Sequence, residues 1–264
     1  MFSIVCVYND KRILNEWLLA SLKIQDAPYE TILLDNTGST FTSAAEALNY
    51  GGEQARGDYI MFVHQDVRLE KETWIEEAET WLRKLPDLGV AGVAGMSDKN
   101  KVGCKELQRN LIKHGVPPKM WGNVITQPEI VQTVDELLLI VPRRVFKLLK
   151  FDAQTCPGWH LYGVNYSLSA LQRRLLTYVL PLPVWHLSTG GGPSTPFGIL
   201  LNYGTMPKEY YRDLKRVLKK HRQAHRNIYT TCGIWNTNQP LVLQRGVQLF
   251  MMSCRYITKK CKGN

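Results

Sequence analysis

The residues best suited to chemistry are His64, Gln65 and Asp66, which directly follow the apolar run from Tyr59 to Val63. A carboxylate at the end of a strand can bind a hard divalent cation through oxygen, and the oxygens of a diphosphate can complete the shell. A cation that bridges two phosphates also stabilises a departing nucleotide. The alternative is a polar turn that caps the next helix. Other polar clusters in the sequence are needed to decide between the two.

Two further polar clusters follow apolar runs earlier in the chain. Tyr8 follows the run from Phe2 to Val7, and Asp35 and Asn36 follow the run from Thr31 to Leu34. Ligands of open α/β sheets bind beyond the carboxyl ends of the parallel strands. We therefore expect all three clusters to line one cleft.

Short apolar runs alternate with segments of helical periodicity, and this predicts an α/β fold with a mostly parallel sheet flanked by helices. The predicted helices are Lys11 to Ile24, Ser43 to Asn49, Glu70 to Leu85, Arg143 to Leu149 and Tyr166 to Leu176. Later strands are expected at Leu137 to Val141 and at Val179 to Trp185. Pro181 and Pro183 place the second of these at a sheet edge, because proline cannot donate to the ladder.

The composition is that of a folded globular protein, with 44% hydrophobic and 21% charged residues in a chain of 264. The six cysteines are scattered without a CxxC pair, and Met1 leads into a strand-like segment rather than a signal peptide. These features predict a reducing, cytoplasmic setting. No apolar run approaches the ~18 residues that cross a bilayer.

Three segments, taken in order, resemble glycosyltransferase family 2, whose catalytic domain has the GT-A fold. The segments are Val5 to Asn9, Leu33 to Ser39 and Ala55 to Val67. The resemblance extends over residues 2–200 and implies a nucleotide-sugar donor, a UDP-sugar by default. It also implies a divalent cation, Mn²⁺ or Mg²⁺, as cofactor.

The resemblance implies donor-binding roles for individual residues. Tyr8, together with Asp35 or Asn36, would hold the nucleoside. Asn49 and Arg56 would lie near the base or the diphosphate.

The resemblance also implies a metal site, because His64-Gln65-Asp66 stands at the family's DxD motif. His64 replaces the first Asp of that motif, so Asp66 supplies its only carboxylate. His186 resembles the late histidine that completes the metal shell in many GT-A enzymes. We therefore expect Asp66 and His186 to meet across one cleft, with His64 turned toward the donor. The loop Gly190 to Gly192 either closes over the donor or links to the tail.

A second block, Gly158 to Leu168, resembles the acceptor-side segment of a bacterial subset of the family. An acidic residue is usual near the end of its Trp-His-x-Tyr run, but this chain has Gly163 and Asn165 there. An inverting transfer needs a base to take the proton of the acceptor hydroxyl. The candidates are His160, which we rank first, followed by Asp135 and Glu136. Alternatively, His160 is a packed structural histidine and the two acids belong to a surface turn.

The excess positive charge lies entirely in residues 201–264, which carry 13 Lys or Arg residues and only Glu209 and Asp213 as acids. Residues 1–200 are therefore expected to form the GT-A domain, and residues 201–264 a basic, amphipathic, helical extension. The segments Lys208 to Arg226 and Leu241 to Ile257 either lie on an anionic membrane or pack their apolar faces on the domain. Nucleic-acid binding is not expected, because no recognised binding motif is present.

Two hypotheses for the function remain. The first is a metal-dependent, inverting glycosyltransferase that transfers sugar to a glycan or lipid-linked acceptor in bacterial surface polysaccharide assembly, at the inner face of the cell membrane. The second is a non-catalytic GT-A-like scaffold that retains nucleotide affinity, which the missing carboxylates at Gly163 and Asn165 support. A sugar nucleotidyltransferase is disfavoured, because the N-terminal segment lacks a Gly-rich, basic phosphate loop.

Overall fold

The apolar runs form a seven-stranded central sheet in the computed structural model, which describes residues 1–98, 107–187 and 206–247. Its strands are β1 Phe2–Tyr8, β2 Tyr29–Asp35, β3 Tyr59–Val63, β5 Leu88–Gly92, β9 Glu129–Ile130, β11 Leu138–Pro142 and β12 Leu176–Val179. They lie in the order β2-β1-β3-β11-β5-β12-β9, and five of them run in one direction, whereas β9 and β11 run in the other. The predicted mostly parallel sheet is confirmed.

A second sheet, which the sequence did not predict, lies at the carboxyl end of the central one. Its order is β10-β6-β7-β13-β4, with β8 beside β7. The strands are β4 Val67–Leu69, β6 Gly95–Met96, β7 Gln108–His114, β8 Lys119–Asn123, β10 Thr133–Val134 and β13 Val184–His186. The strand predicted from Val179 to Trp185 is wrong as a single element. The chain leaves the central sheet after Val179 and enters the second sheet at Val184, and Pro181 and Pro183 lie in the break. β12 is not an edge strand, because it lies between β5 and β9.

Helices cover both faces of the central sheet. They are α1, built from Lys11–Leu14, a π-helical turn Asn15–Leu19 and Ala20–Leu22, then α2 Ala44–Gln54, α3 Trp74–Leu82, α4 Arg143–Leu148, α5 Tyr162–Leu171 and α6 Lys208–His221. Asp10 caps α1 by accepting hydrogen bonds from the backbone N–H groups of Arg12 and Ile13, as N-cap carboxylates do. Side chains of α1 and α3 pack on one face of the sheet, and those of α2, α4, α5 and α6 pack on the other.

The extension packs on the domain as an integral part of its core. Tyr210, Leu214 and Val217 of α6 are buried in the same cluster as residues of α2 and α5. Their burial confirms the packing alternative for this helix, and its apolar face is not free to enter a membrane. The exposed face of α6 is basic, with Lys215, Arg216 and Lys219 open to solvent. Among the described residues, no helix is long and apolar enough to cross a bilayer.

The expectation of a purely helical extension is wrong, because an antiparallel hairpin follows α6. It consists of β14 Asn227–Thr230 and β15 Gly233–Asn236, and it docks beside β10. Thr133 Oγ1 donates a hydrogen bond to the carbonyl of Tyr229 at 2.5 Å. Residues 241–247 are helical, whereas the rest of the predicted segment from Leu241 to Ile257 lies outside the described residues.

A buried polar network joins α6 to α5. His221 Nε2 lies 2.9 Å from Asn165 Oδ1, and Lys220 donates to Asp152 Oδ2 at 2.9 Å and to Asn165 Oδ1 at 3.1 Å. Burial lowers the pKa of His221 to about 3, so its ring is neutral at physiological pH. Asn165, one of the two positions where the resemblance implied an acid, therefore serves to hold the extension in place.

Replacing Leu214 by Ala tests this docking. Leu214 has no exposed surface, so its truncation should lower the free energy of unfolding by about 2–5 kcal/mol. The matched control is Lys219→Ala on the exposed face of α6, which should stay within about 0.5 kcal/mol of the wild type. Urea unfolding followed by circular dichroism gives both values. If the apolar face of α6 were not packed on the domain, the two variants would have the same free energy of unfolding.

Candidate metal and donor site

The ends of β1 and β2 form the first part of the site. Tyr8 and Asp35 are register partners, and the Tyr8 hydroxyl donates to Asp35 Oδ2 at 3.0 Å. Asp35 Oδ1 accepts hydrogen bonds from the backbone N–H of Thr37 at 2.8 Å and from its hydroxyl at 2.7 Å. These bonds, together with the one from Tyr8, lower the pKa of the exposed Asp35 carboxyl. Asn36 binds both backbone groups of Phe41 and so shapes the following loop.

Gln65 ties the end of β3 to the end of β1. Its Oε1 accepts from the backbone N–H groups of Asn9 at 2.9 Å and Asp10 at 3.0 Å. Its Nε2 donates to Asn9 Oδ1 at 2.7 Å. The middle residue of the His64-Gln65-Asp66 motif therefore joins two of the polar clusters, as the predicted single cleft requires.

The pairing of β4 with β13 brings His186 to Asp66. The two strands are antiparallel with His186 opposite Val67, and Leu187 N–H donates to the Asp66 carbonyl at 2.9 Å. His186 Nε2 consequently lies 3.3 Å from Asp66 Oδ2, and both side chains are largely buried. The structure thus brings together the two residues that we expected to meet across 120 positions of sequence.

His64 joins the same group. One ligand atom from each of His64, Asp66 and His186 lies within 4.8 Å of the others. The Nε2 atom of His64 is 2.9 Å from the Tyr162 hydroxyl, which is 3.3 Å from the carbonyl oxygen of Glu136. We expected His64 to turn toward the donor, and the structure places it in a cluster of three residues with Asp66 and His186.

The charges of the cluster depend on one another. Burial lowers the pKa of His64, and the neighbouring His186 lowers it further. Burial also disfavours the charged form of His186, but the hydrogen bond and charge of Asp66 outweigh it and raise its pKa. The same contacts lower the pKa of Asp66 despite its burial. Asp66 is thus kept as a carboxylate, which is the form that binds a cation.

The donor set fits a divalent transition metal. Two imidazoles and one carboxylate converge, two of them from the loop between β3 and β4 and one from β13, and each offers an atom close to those of the others. Imidazole is an acceptable ligand for manganese, whereas magnesium prefers oxygen ligands. Of the two cations implied by the resemblance, the residues therefore suit Mn²⁺ better.

Glu136 and Gly163 form the neighbouring part of the site. The backbone N–H of Gly163 donates to Glu136 Oε1 at 3.1 Å. A Cβ atom on Gly163 would lie 2.9 Å from Cγ of Glu136, so the glycine leaves room for this side chain. Burial and the nearby Asp135 raise the pKa of Glu136 well above its usual value. A carboxyl group therefore occupies the place beside Gly163, although the sequence has no acid at that position.

The other two base candidates are held by the extension. The hydroxyl of Thr231 donates to Asp135 Oδ2 at 2.6 Å, and the other Asp135 oxygen accepts from the backbone N–H of Leu137. The ring of His160 packs edge-on against Tyr210 at 5.8 Å. Burial lowers the pKa of His160.

Two predicted donor-binding residues lie elsewhere. Asn49 uses both amide atoms on the backbone of Phe151, donating at 2.8 Å and accepting at 2.9 Å. Arg56 precedes β3, at the amino end of the strand, where its backbone N–H donates to Ser3 and Glu30. The structure thus places Arg56 at the end of the sheet opposite the cluster. A cavity of about 610 Å³ also lies at that end.

His114 and Tyr162 are site residues that the sequence analysis missed. His114 pairs with His186 across β7 and β13, and their ring centroids are 5.3 Å apart. Tyr162 contacts His64 from the first turn of α5. The run containing Tyr162 was recognised, but nothing in the local pattern around His114 points to the second sheet that carries it.

A family model described as "Glycosyltransferase like family" matches residues 3–188, which is more than half of the chain. The chain belongs to this glycosyltransferase-like family. The match includes every residue of the His64-Asp66-His186 cluster and ends before α6 begins. No curated protein matches the sequence at a significant level.

Solved structures share the GT-A fold of this family member. A mannosyltransferase from Pyrobaculum calidifontis in complex with GDP-Man and Mn²⁺ is 12% identical with a TM-score of 0.55, over 85% of this chain and 64% of that one. GalNAc-T7 with UDP, GalNAc and Mn²⁺ is 12% identical with a TM-score of 0.53, over 84% of this chain and 48% of that one. This chain therefore spans less than two thirds of the length of both proteins.

Replacing Asp66 by Asn should weaken Mn²⁺ binding by at least about 10-fold, because loss of a ligand costs no less than loss of an outer-shell partner. Titration calorimetry with MnCl₂ measures the affinity. The control is Asp26→Asn, an exposed carboxylate outside the cluster, which should bind Mn²⁺ as the wild type does. Because His186 must be neutral to bind a metal and its pKa is raised, wild-type affinity should fall as the pH is lowered, beginning at a higher pH than for an ordinary histidine ligand. Equal Mn²⁺ affinity in the two variants would contradict the site.

Proposed function

We propose that the protein is a metal-dependent, inverting glycosyltransferase that transfers a sugar from a nucleotide-sugar donor to a glycan or lipid-linked acceptor. The observation that carries the proposal is the His64-Asp66-His186 cluster beside the strand ends of Tyr8 and Asp35. We place the reaction in bacterial surface polysaccharide assembly from the sequence resemblance, and on the cytoplasmic side of the membrane from the scattered cysteines.

The donor would lie across the carboxyl ends of β1 to β3. Tyr8 and Asp35 would hold the nucleoside, since both are at the edge and Asp35 retains an accessible carboxylate. Asn36 would act by shaping the loop that ends at Phe41. Asn49 and Arg56 have no part in this arrangement.

Asp66 and His186, with His64, would hold the cation beside the diphosphate. A divalent cation bound there would neutralise the charge that develops on the leaving diphosphate. Asp66 is suited to this role because its neighbours keep it ionised. The side chains of His186 and Asp66 are only 16% and 21% exposed, and this partial burial strengthens each charge interaction.

Glu136 would be the catalytic base, in preference to His160. Its raised pKa makes its carboxylate a stronger base than an exposed one, and it lies beside Gly163, next to Tyr162. The carboxylate would take the proton of the acceptor hydroxyl while the hydroxyl oxygen bonds to the anomeric carbon. The bond from that carbon to the diphosphate oxygen breaks, its electron pair leaves with the nucleoside diphosphate, and attack from the opposite face inverts the configuration.

The nucleotide of the donor is proposed as uridine diphosphate by the family resemblance. The GalNAc-T7 structure contains UDP and the mannosyltransferase structure contains GDP-Man, so similar folds hold either base. A thermal-shift panel of nucleotides with and without Mn²⁺ distinguishes them, because ligand binding raises apparent stability. Stabilisation by UDP only when Mn²⁺ is present is the expected result.

The alternative is a non-catalytic scaffold that binds nucleotide. Gly163 and Asn165 favour it, because neither supplies a carboxylate and Asn165 is occupied by Lys220 and His221. Slow Mn²⁺-dependent hydrolysis of a donor sugar separates the two functions. A scaffold would bind UDP and hydrolyse none of the UDP-sugars.

Replacing Glu136 by Gln removes the proposed base while keeping the side-chain shape. We expect kcat to fall by about 10²–10⁴-fold, which is the usual contribution of a general base. Binding of UDP with Mn²⁺ should be unchanged, and this serves as the internal control for an intact donor site. Retention of the wild-type kcat in this variant would remove Glu136 from the mechanism.

A further inference from the structure

The extension contacts the acceptor side of the site, although it lies outside the family match. That match ends at residue 188, whereas α6 spans Lys208–His221. Tyr210 of α6 packs on His160, and Thr231 from the hairpin binds Asp135. The family therefore does not explain what these residues contribute.

Asp213 is the most unusual of the contacting residues. Its side chain has no exposed surface, and Oδ1 accepts one hydrogen bond, from Nε of the adjacent Arg212 at 3.0 Å. Oδ2 is buried and has no hydrogen-bond partner in the described part of the chain. This oxygen points at the backbone of Gly158, since a Cβ atom built there would lie 2.8 Å from it.

Such a carboxylate does not serve stability. A buried acidic group with an unsatisfied oxygen costs free energy of desolvation, and a neutral amide of the same shape avoids the cost of burying the charge. One partly exposed arginine offsets this cost incompletely. The position of Asp213 against the acceptor segment offers a reason for its presence.

The segment from Gly158 to His160 connects Asp213 to the rest of the site. The Gly158 carbonyl accepts from the Ala44 N–H at 3.0 Å, at the start of α2, which follows the Asn36 loop. The ring of His160, two residues later, is held by Tyr210. Asp213 thus packs where the acceptor segment meets the donor-side helix.

The charge of Asp213 reaches the titratable groups around it. Burial lowers the pKa of His160, whereas the charges of Asp213 and Glu209 on α6 act to raise it. Among the groups on other elements, His160 acts to lower the pKa of His64, and Asp213 helps to raise the pKa of Glu136. Asp213 therefore acts electrostatically on both His160 and Glu136, which lie on the proposed acceptor side.

We propose that Asp213 is a positioning residue of the acceptor side, which fixes the Gly158–His160 segment and sets the environment of His160. This rests on the proposed function, and it makes the extension part of the working site. Asp213 does not touch the substrate in this arrangement, because the Gly158 backbone covers it.

The test uses Asp213→Asn, which keeps the shape and removes the charge. We expect an unchanged or higher Tm, normal binding of UDP with Mn²⁺, and hydrolysis of UDP-sugars reduced by about 10- to 100-fold. Histidine NMR, assigned with His160→Gln, should show the pKa of His160 shifted downward. Glu209→Gln is the matched control: it removes an exposed charge from the same helix, which solvent screens, so its effects should be small.

A second variant, Gly158→Ala, displaces the segment without removing the charge. Its added methyl meets Asp213 Oδ2, so hydrolysis should again fall while binding of UDP with Mn²⁺ is retained. Wild-type hydrolysis in both variants, or an unshifted His160 titration in Asp213→Asn, would overturn the proposal. A wild type that hydrolyses no donor would contradict the proposed function, whereas normal hydrolysis by the wild type and by both variants would contradict the positioning role alone.

Discussion

The contact between His186 and Asp66 is the interaction on which the site depends. It exists because β4 and β13 pair with each other in the second sheet, which sets His186 opposite Val67. Without that pairing, the carboxylate would be an ordinary polar residue at a strand end. With it, Asp66 stays ionised although its side chain is largely buried. His64 completes the cluster with Asp66 and His186.

At the two positions where the sequence resemblance implied an acid, the chain has Gly163 and Asn165, and each has a structural role. Gly163 carries no side chain, and Glu136 from the turn before β11 occupies the space beside it. Asn165 binds Lys220 and His221, which attaches the extension to α5. The described part of the extension is therefore a part of the fold, and the basic residues of α6 surround a helix whose apolar residues are buried.

The sequence predicted the elements whose patterns are local. The strands β1 and β3, the helix α6 and the meeting of Asp66 with His186 were found from periodicity and from the family motif. The second sheet was missed because its strands are short and pair across long distances, so His114 carried no signal. Arg56 was misplaced because a motif position does not reveal which end of a strand it occupies. The hydrogen bonds of Asn49 were not predicted because their partner, Phe151, is 102 residues away in the sequence.

The most direct test of the account is the position of Mn²⁺ in crystals grown with MnCl₂ and UDP. Anomalous diffraction at the manganese absorption edge locates the ion independently of the protein atoms. The account predicts one strong peak coordinated by Asp66 and His186, next to the diphosphate. A peak at another site, such as Asp35, with Asp66 and His186 still paired only with each other, would contradict it.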